Sequence, residues 1–490
     1  MKKRIIFRAD GDSSTGLGHL YRLFGLVEVL KDSFDFVFVT KASSTFSVIP
    51  KSYTTHFIPE HIDFKDEVTW LSQSYNPNDH IIIADGYQFN STYQKQIKDK
   101  GYTLVYIDDL ASEHMFADLV INHSPYLIEK HYKKEPYTKL ALGTRYALLR
   151  PGFLKEAKLE RNIKSIDSAF VCFGGADPFN LTYKAVTALL ELNRFKKISV
   201  VLGGAYKFNE ILELKNTHPL KIDLYKNLSE NELIKVMKDC NFAIVPASTI
   251  LFEICCIKMP VLSGFYVENQ INLFKGFSHL DAIHGCGDFR TKDKHDFKEL
   301  IEFSLKEKGV LRQIESQSKL FDGRNGKRLL GLINQFNISL RKATLKDMTM
   351  IFDWSNEEVV RQNSYNSEPI KIENHKIWFQ NKLNDTRATM LIVMINEKPA
   401  GIVRFEDDGE HSTIGITISS QYRGQGLSSE ILMLSSKYYF EFNDKPILAY
   451  IKEENLASKR AFEKSGYKFF KSKPIKGIHS FIYKLDKPNV

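Results

Sequence analysis

Short apolar runs and longer amphipathic stretches alternate along the chain from its first residues. KRIIFRA is followed by HLYRLFGLVEVLKD, then by FDFVFVT, HIIIADG, a lysine-rich stretch to Lys100, TLVYIDD and ADLVINH. Strand-like runs separated by helical segments predict a parallel sheet covered by helices. A second series starts at SAFVCFGG and continues through KKISVVLGG, KIDLYKN, FAIVPAS and MPVLSGF. Two such α/β halves, joined near Pro151, predict two Rossmann-like domains facing across a cleft. Near Asn337 the pattern changes. ISLRKATLKDMTMIFDWS opens a new strand and helix, ATMLIVMINEKPAGIVRFED reads as a hairpin around Asn396 and Glu397, and STIGITIS runs into a glycine-rich turn. This third unit mixes antiparallel strands with helices. The expected boundaries are 1–152, 153–335 and 336–490.

The length of 490 residues agrees with two or three domains rather than one core. With 43% apolar and 26% charged residues the chain reads as soluble and globular. No apolar run reaches the roughly 18 residues that span a bilayer, and MKKRIIFRADGDSS turns polar too soon for a signal peptide, so no membrane and a cytoplasmic location are expected. The five cysteines read as core thiols rather than metal or redox groups, and no metal is expected. A net charge of +9 without a long Lys/Arg run leaves nucleic acid out and small anionic ligands in.

The loop RADGDSSTGLGHLYR carries the first chemistry. Gly16 and Gly18 let a ligand approach the backbone closely, because no Cβ intervenes. His19 falls at the start of the following helix, where the positive end of the dipole disfavours imidazolium and leaves a base at neutral pH. Capping the helix or packing under the loop is its alternative role. Asp85 and Tyr87 in IIIADGYQ, and Asp108 and Asp109 in VYIDDL, end strands where open α/β sheets bind ligands; each also suits a turn or a helix cap. In the second series Gly174 and Gly175 follow a strand, and Ser248 and Thr249 start a helix whose free N–H groups suit a diphosphate. Glu253, one turn further on, can take a ribose diol. Glu268, Asn269 and Gln270 follow the next strand and offer amides to sugar hydroxyls.

In order and spacing, RADGDSSTGLGHLYR, IIIADGY, IDD, FGGADPFN, ASTILFE and ENQ resemble the PseG family, the UDP-sugar hydrolases of pseudaminic acid biosynthesis. The resemblance spans residues 1–335 and extends to glycosyltransferases of the GT-B fold such as MurG. It implies a GT-B (MurG-like) arrangement and cleavage of UDP from a 2,4-diacetamido-2,4,6-trideoxy hexose, the beta-L-altropyranose of that pathway. It also implies that His19 activates water and that Tyr87 lies near the substrate. Asp10, Gly16, Gly18, Arg22, Asp85, Gly174, Gly175, Ser248, Thr249, Glu253, Asn269 and Gln270 are then expected around the UDP-sugar.

QYRGQGLSSEIL, placed between a strand and an amphipathic helix, is a second anion loop. Gln421, Arg423, Gly424, Gln425, Gly426, Leu427 and Ser428 form a turn whose N–H groups, from Arg423 onward, can cradle a pyrophosphate. With the downstream AYIKEENLASKRAFEKSGYKF it resembles the GNAT acetyltransferases, which implies acetyl-CoA as co-substrate and Asn455 toward the cofactor arm. Phe462 stands where many of these enzymes have a tyrosine acid, so either another group donates the proton, with Tyr467 and Tyr450 as candidates, or the thiolate leaves through solvent. LRKATLKDMTMIFDWSNEEVVRQNSYNSEPI looks like the 4-amino-sugar acetyltransferases of the PseH family and, in WSNEEVVRQNS, like RimJ/RimL enzymes. Arg361, Asn363 and Ser364 would line an acceptor pocket or serve structure alone. The combined resemblance implies a bifunctional enzyme acting on UDP-linked amino sugars, with further enzymes of the pathway as partners. A GT-B glycosyltransferase fused to a RimJ/RimL-like protein acetyltransferase is the rival, and a nucleotide-sugar sensor a third reading that leaves His19 without a purpose.

Overall fold

The computed structural model describes residues 3–11, 17–44 and 48–488. The chain divides into two compact units, Lys3–Leu329 and Leu330–Val490.

The first unit holds two large parallel sheets and a small two-stranded one, His114–Met115 with Lys133–Lys134. In the first, the strand order is Thr55–Ile58, Phe36–Lys41, Arg4–Ala9, His80–Asp85, Thr103–Ile107, Leu119–Asn122, Lys139–Leu142. Arg4–Ala9 and His80–Asp85 lie parallel side by side, with Ala9 beside Asp85. From this pair the chain winds outward in both directions, so a crevice opens beyond the carboxyl ends of these two strands. The interior strands read as continuous apolar runs because helices cover both faces; Ile5, Ile6, Phe7, Ile81, Ile82 and Ile83 are all sealed from solvent.

The second sheet repeats the plan with Ile222–Lys226, Lys197–Leu202, Ser168–Val171, Phe242–Pro246, Val261–Phe265 and His284–Asp288. Its winding reverses between Ser168–Val171 and Phe242–Pro246, which pair in parallel. The loops FGGADPFN and ASTILFE follow these two strands. The five cysteines are all buried and unpaired. Two Rossmann-like layers in a GT-B arrangement, and a C-terminal α+β unit, make up the fold.

The second unit is a seven-stranded sheet in the order Ile338–Lys342, Ala388–Ile395, Lys398–Asp407, Ser412–Ile418, Ile447–Lys452, Ile478–Leu485, Lys468–Ile475. The hairpin turn at Asn396 and Glu397 has φ of 50° and 64°, the left-handed pair that matches the twist of two-residue hairpins. All neighbours run antiparallel except Ser412–Ile418 and Ile447–Lys452. That parallel pair is joined only at Ser412 with Ile447 and Thr413 with Leu448, so the two strands splay apart toward their carboxyl ends.

Candidate functional site

His19 is the second residue of the helix Gly18–Leu30, and Arg22 follows three residues later on the same face. Asp85 ends its buried strand with no exposed surface. His19 Nδ1 lies 2.7 Å from Asp85 Oδ1. Arg22 donates from Nε to Asp85 Oδ2 at 2.8 Å, from Nη2 to Asp85 Oδ1 at 2.6 Å and from Nη1 to Asp109 Oδ1 at 2.5 Å. A carboxylate can only accept, so His19 presents an N–H at Nδ1 to Asp85. Burial works to raise the pKa of Asp85, but Arg22 and then His19 outweigh it and hold the carboxyl below the usual range. Burial likewise opposes ionisation of Asp109, and Arg22 again prevails, well below the usual range. The result is a histidine with one nitrogen anchored by a buried carboxylate that Arg22 keeps ionised.

Tyr87 stands edge-on to the His19 ring at 4.8 Å between centroids. Its hydroxyl donates to Asp109 Oδ2 at 3.2 Å and accepts from Asn269 Nδ2 at 2.9 Å. Burial and then Asp109 push this phenol up to about 12. Asn269 reaches it from the loop after Val261–Phe265, so residues expected from the two halves of the unit do meet. Of the adjacent acids Asp108 and Asp109, only Asp109 joins the site. Asp108 closes its own turn and accepts from Asn122 and Tyr132.

Other expected residues take different places. Asp10 accepts from Arg8 at 2.6 and 2.8 Å, from Thr40 at 3.1 Å, from the Lys41 N–H at 2.8 Å and from Gln88 at 3.2 Å. Both of its oxygens thus accept from the protein, and it ties the end of its strand to Thr40, Lys41 and Gln88. Gly16 lies outside the described residues, and a Cβ at Gly18 would meet none of the described residues within 4 Å. Gly174 has φ of 82°, and Gly175 accepts from the Ala205 N–H at 3.0 Å. Gly203 packs so tightly on this loop that a Cβ there would strike the carbonyl oxygens of Gly174 and Gly175. Ser248 precedes Thr249–Ile257 without capping it by its side chain. Glu253 is buried and accepts from Arg150 at 2.9 and 2.7 Å, both on Oε1. Gln270 is turned inward, its Oε1 accepting from the Tyr266 N–H at 3.0 Å.

Two residues that sequence reasoning passed over also belong here. Arg150 is the partner of Glu253. His123, buried just after Leu119–Asn122, has Nε2 3.9 Å from Asp109 Oδ1 and its ring 4.4 Å from Phe252. Its position beyond a strand's carboxyl end, as with Asp85 and Asp109, was the available signal.

In the second unit the splayed strands open a cavity of about 750 Å³. Gly424 and Gly426, each with φ of 78°, line it together with Leu427, Ser428 and Asn455. The Arg423 N–H already donates to the Ser419 carbonyl, so the N–H groups without such a partner begin at Gly424. The Arg423 side chain also turns away: Nε donates to the Ile418 carbonyl at 2.8 Å and the guanidinium pairs with Glu357. Gln425 is buried and accepts from Asn334 at 2.9 Å, while Gln421 is exposed and supplies the carbonyl to which Gln425 Nε2 donates. Asn455 caps Leu456–Lys464 by accepting from the Ser458 N–H at 3.1 Å. Asn363, Ser364, Tyr365, Arg404 and Glu406 also line the cavity. Arg361 is absent from this lining; it holds the neighbouring loop through the Ser355 carbonyl and Ser364 Oγ. Among the described residues no group of three or more His, Cys, Asp or Glu is placed to hold a metal ion, and no helix is long and apolar enough to cross a membrane.

Comparison with known proteins separates the same two parts. Residues 337–468 match the family described as acetyltransferase (GNAT) domain. The second unit is a GNAT domain. The N-terminal half of the chain is similar to a UDP-2,4-diacetamido-2,4,6-trideoxy-beta-L-altropyranose hydrolase of Campylobacter jejuni, 27% identical over 277 residues, covering 54% of this chain and 93% of that one. A similar stretch matches the spore coat polysaccharide biosynthesis protein SpsG of Bacillus subtilis, 24% identical over 284 residues, covering 57% of this chain and 82% of that protein. The uncharacterised protein MJ1062 of Methanocaldococcus jannaschii is 25% identical over 489 residues, covering 95% of this chain and 96% of its own. Its match therefore takes in both the hydrolase-like part and the GNAT domain.

Proposed function

We propose that the chain catalyses two successive steps on a UDP-linked amino sugar in the cytoplasm. The GNAT domain transfers an acetyl group from acetyl-CoA to the 4-amino group of a UDP-4-amino sugar. The first unit then hydrolyses the resulting UDP-2,4-diacetamido-2,4,6-trideoxy sugar to UDP and free sugar, as in pseudaminic acid biosynthesis. Other enzymes of that pathway are its natural partners, and no metal is required. The observation that carries the reading is the His19–Asp85 pair at 2.7 Å, placed at the winding reversal of the first sheet beside Tyr87. A histidine held at Nδ1 by an ionised carboxylate is suited to take a proton at Nε2 from water as the water attacks the sugar. Thr249–Ile257 and the Gly174–Gly175 loop would receive the diphosphate, the Arg150–Glu253 pair the ribose, and Asn269 a sugar hydroxyl. In the GNAT domain the turn from Gly424 to Ser428 would hold the pyrophosphate of acetyl-CoA.

Incubation with acetyl-CoA and the UDP-4-amino sugar, with products resolved by mass, tests both steps. The expected sequence is an acetylated UDP-sugar followed by UDP and the free diacetamido sugar. Transfer of the sugar to a saccharide acceptor, with acetylation of a protein N-terminus, would instead identify a glycosyltransferase fused to a RimJ/RimL-like acetyltransferase. Binding without turnover would leave the sensor reading.

A further inference from the structure

Aminolysis of a thioester forms an N–C bond and breaks a C–S bond, so one proton leaves the amine and one must reach the sulfur. A positioned O–H group near the thiolate supplies that proton efficiently. Phe462 lines the GNAT cavity and has none to give. Tyr467 stands edge-on to it with its hydroxyl on Ser436 at 2.8 Å, outside the cavity lining. Three tyrosines do line the cavity: Tyr365, Tyr422 and Tyr450. Tyr365 donates to Ser480 Oγ at 2.9 Å, and Tyr422 packs into the core beneath the phosphate turn.

Tyr450 differs from both. Its Oη lies 3.4 Å from His411 Nε2, and the same nitrogen lies 2.9 Å from Asp408 Oδ2. The carboxylate can only accept, so Nε2 carries a proton that also faces the phenol oxygen. The phenol's own proton is thereby left to point into the cavity. His411 is fixed by its N–H donating to Asp408 Oδ1 at 3.0 Å, and the Asp408 side chain is 52% exposed, so the chain of groups ends in solvent. The other charged or titratable groups facing Tyr450 are Tyr365 and Lys473, the latter 5.8 Å above its ring.

We infer that Tyr450 protonates the leaving thiolate of the acetyltransferase, and that His411, held by Asp408, returns a proton to it. The inference rests on the acetyltransferase reading above. As the acceptor nitrogen bonds to the acyl carbon and the C–S bond breaks, the Oη proton passes to sulfur. The His411 Nε2 proton passes to the phenol oxygen as Nδ1 takes a proton from water, solvent then returns the ring to its first tautomer, and the proton lost by the amine goes to water. Burial, then Asp408 and Tyr365, raise the pKa of Tyr450, which keeps the phenol protonated and able to donate at neutral pH.

The experiment compares wild type with Tyr450→Phe and His411→Asn, using the UDP-4-amino sugar as acceptor and two acetyl donors. One donor is acetyl-CoA; the other is the acetyl ester of an aromatic thiol, whose thiolate departs without needing a proton. With acetyl-CoA, Tyr450→Phe should lose on the order of 10²-fold in kcat while KM for acetyl-CoA stays within about threefold, and His411→Asn should lose about tenfold. With the aromatic thioester, both deficits in kcat/KM should shrink to about threefold or less. A structural role would slow both donors alike, so equal deficits overturn the assignment. So does a Tyr450→Phe variant within about threefold of wild type on acetyl-CoA. Failure of wild type itself to acetylate this acceptor would overturn the acetyltransferase reading, and this inference with it.

Discussion

Replacing Asp85 by Asn keeps the shape of the side chain and removes its charge, at a position with no solvent to compensate. In the native arrangement Asp85 accepts from His19 at 2.7 Å and from Arg22 at 2.8 and 2.6 Å. An amide can offer only one oxygen. If that oxygen faces Arg22, the amide nitrogen faces His19 Nδ1 and donates to it, which forces the imidazole proton onto Nε2 and abolishes the base. If it faces His19, an N–H is pressed against the guanidinium. Breaking one partner of a buried ion pair costs about 3–5 kcal/mol. Arg22 retains Asp109 at 2.5 Å, so a loss near the lower end, about 3 kcal/mol, is expected in urea unfolding at pH 7. Hydrolysis by the folded variant should fall by about 10²–10⁴, the range for losing a positioned base. UDP affinity by titration calorimetry should stay within about threefold, because the nucleotide is assigned to the second sheet. A folded Asp85→Asn variant that hydrolyses substrate within about tenfold of wild type would refute the base assignment of His19.

The layers and the loops of this fold were legible because they are local. Glycine after a strand, a helix start after a glycine, and an apolar run between turns need no distant partner, and these signals put His19, Asp85, Gly174, Ser248 and Gly424 at the strand ends and helix starts where the fold has them. What was not legible depends on partners far along the chain. Asp10 looks like a ligand in RADGDSS, but Arg8, Thr40, Lys41 and Gln88 come from separate segments to occupy it. Glu253 was readable as an unusual carboxylate on an apolar helix, yet its counter-ion lies 103 residues away at Arg150. Asp108 and Asp109 are adjacent and chemically alike. Only the placement of Asn122 and Tyr132 decides that one closes a turn while the other faces Arg22. In the GNAT turn, the glycines follow from their positive φ, but the directions of the Arg423 and Gln425 side chains depend on Glu357 and Asn334. The choice between Tyr450 and Tyr467 was likewise set by packing: Tyr467 is fixed behind Phe462, whereas Tyr450 faces the cavity.

Gly424→Glu should abolish acetyl transfer and leave hydrolysis of pre-acetylated substrate unchanged, since the new carboxylate would project into the cavity and the left-handed φ of 78° would strain the turn by about 1 kcal/mol or more; slowed hydrolysis would contradict it. Burial, reinforced by Arg22, lowers His123 to about 4, against about 6.5 unfolded, so the neutral form stabilises the fold above pH 6.5 and that contribution is lost as pH falls toward 4, about 3 kcal/mol in all. His123→Asn should therefore lose less stability than wild type between pH 7 and 4.5 in urea titrations, and an equal loss would remove His123 as the source. The remaining expectation is that each unit folds alone if the helix Asn325–Asn334 is kept whole, because its ends serve different partners. Asn325 donates to the Thr144 carbonyl at 2.7 Å. Asn334 donates to Gln425 Oε1 at 2.9 Å and accepts from Asn396 Nδ2 at 2.8 Å. A fragment 1–336 should hydrolyse the acetylated UDP-sugar, and a fragment 325–490 should bind acetyl-CoA. Within the second fragment, Asn334→Ala would leave Gln425 Oε1 and Asn396 Nδ2 without their partner at a buried site, a loss of about 1–3 kcal/mol in thermal or urea unfolding. Because Gln425 belongs to the phosphate turn, the same change should weaken acetyl-CoA binding, whereas Gln335→Ala one residue on should not. If the 325–490 fragment were unfolded, or if Asn334→Ala altered neither stability nor binding, the buried amide cluster would not be what fixes the turn.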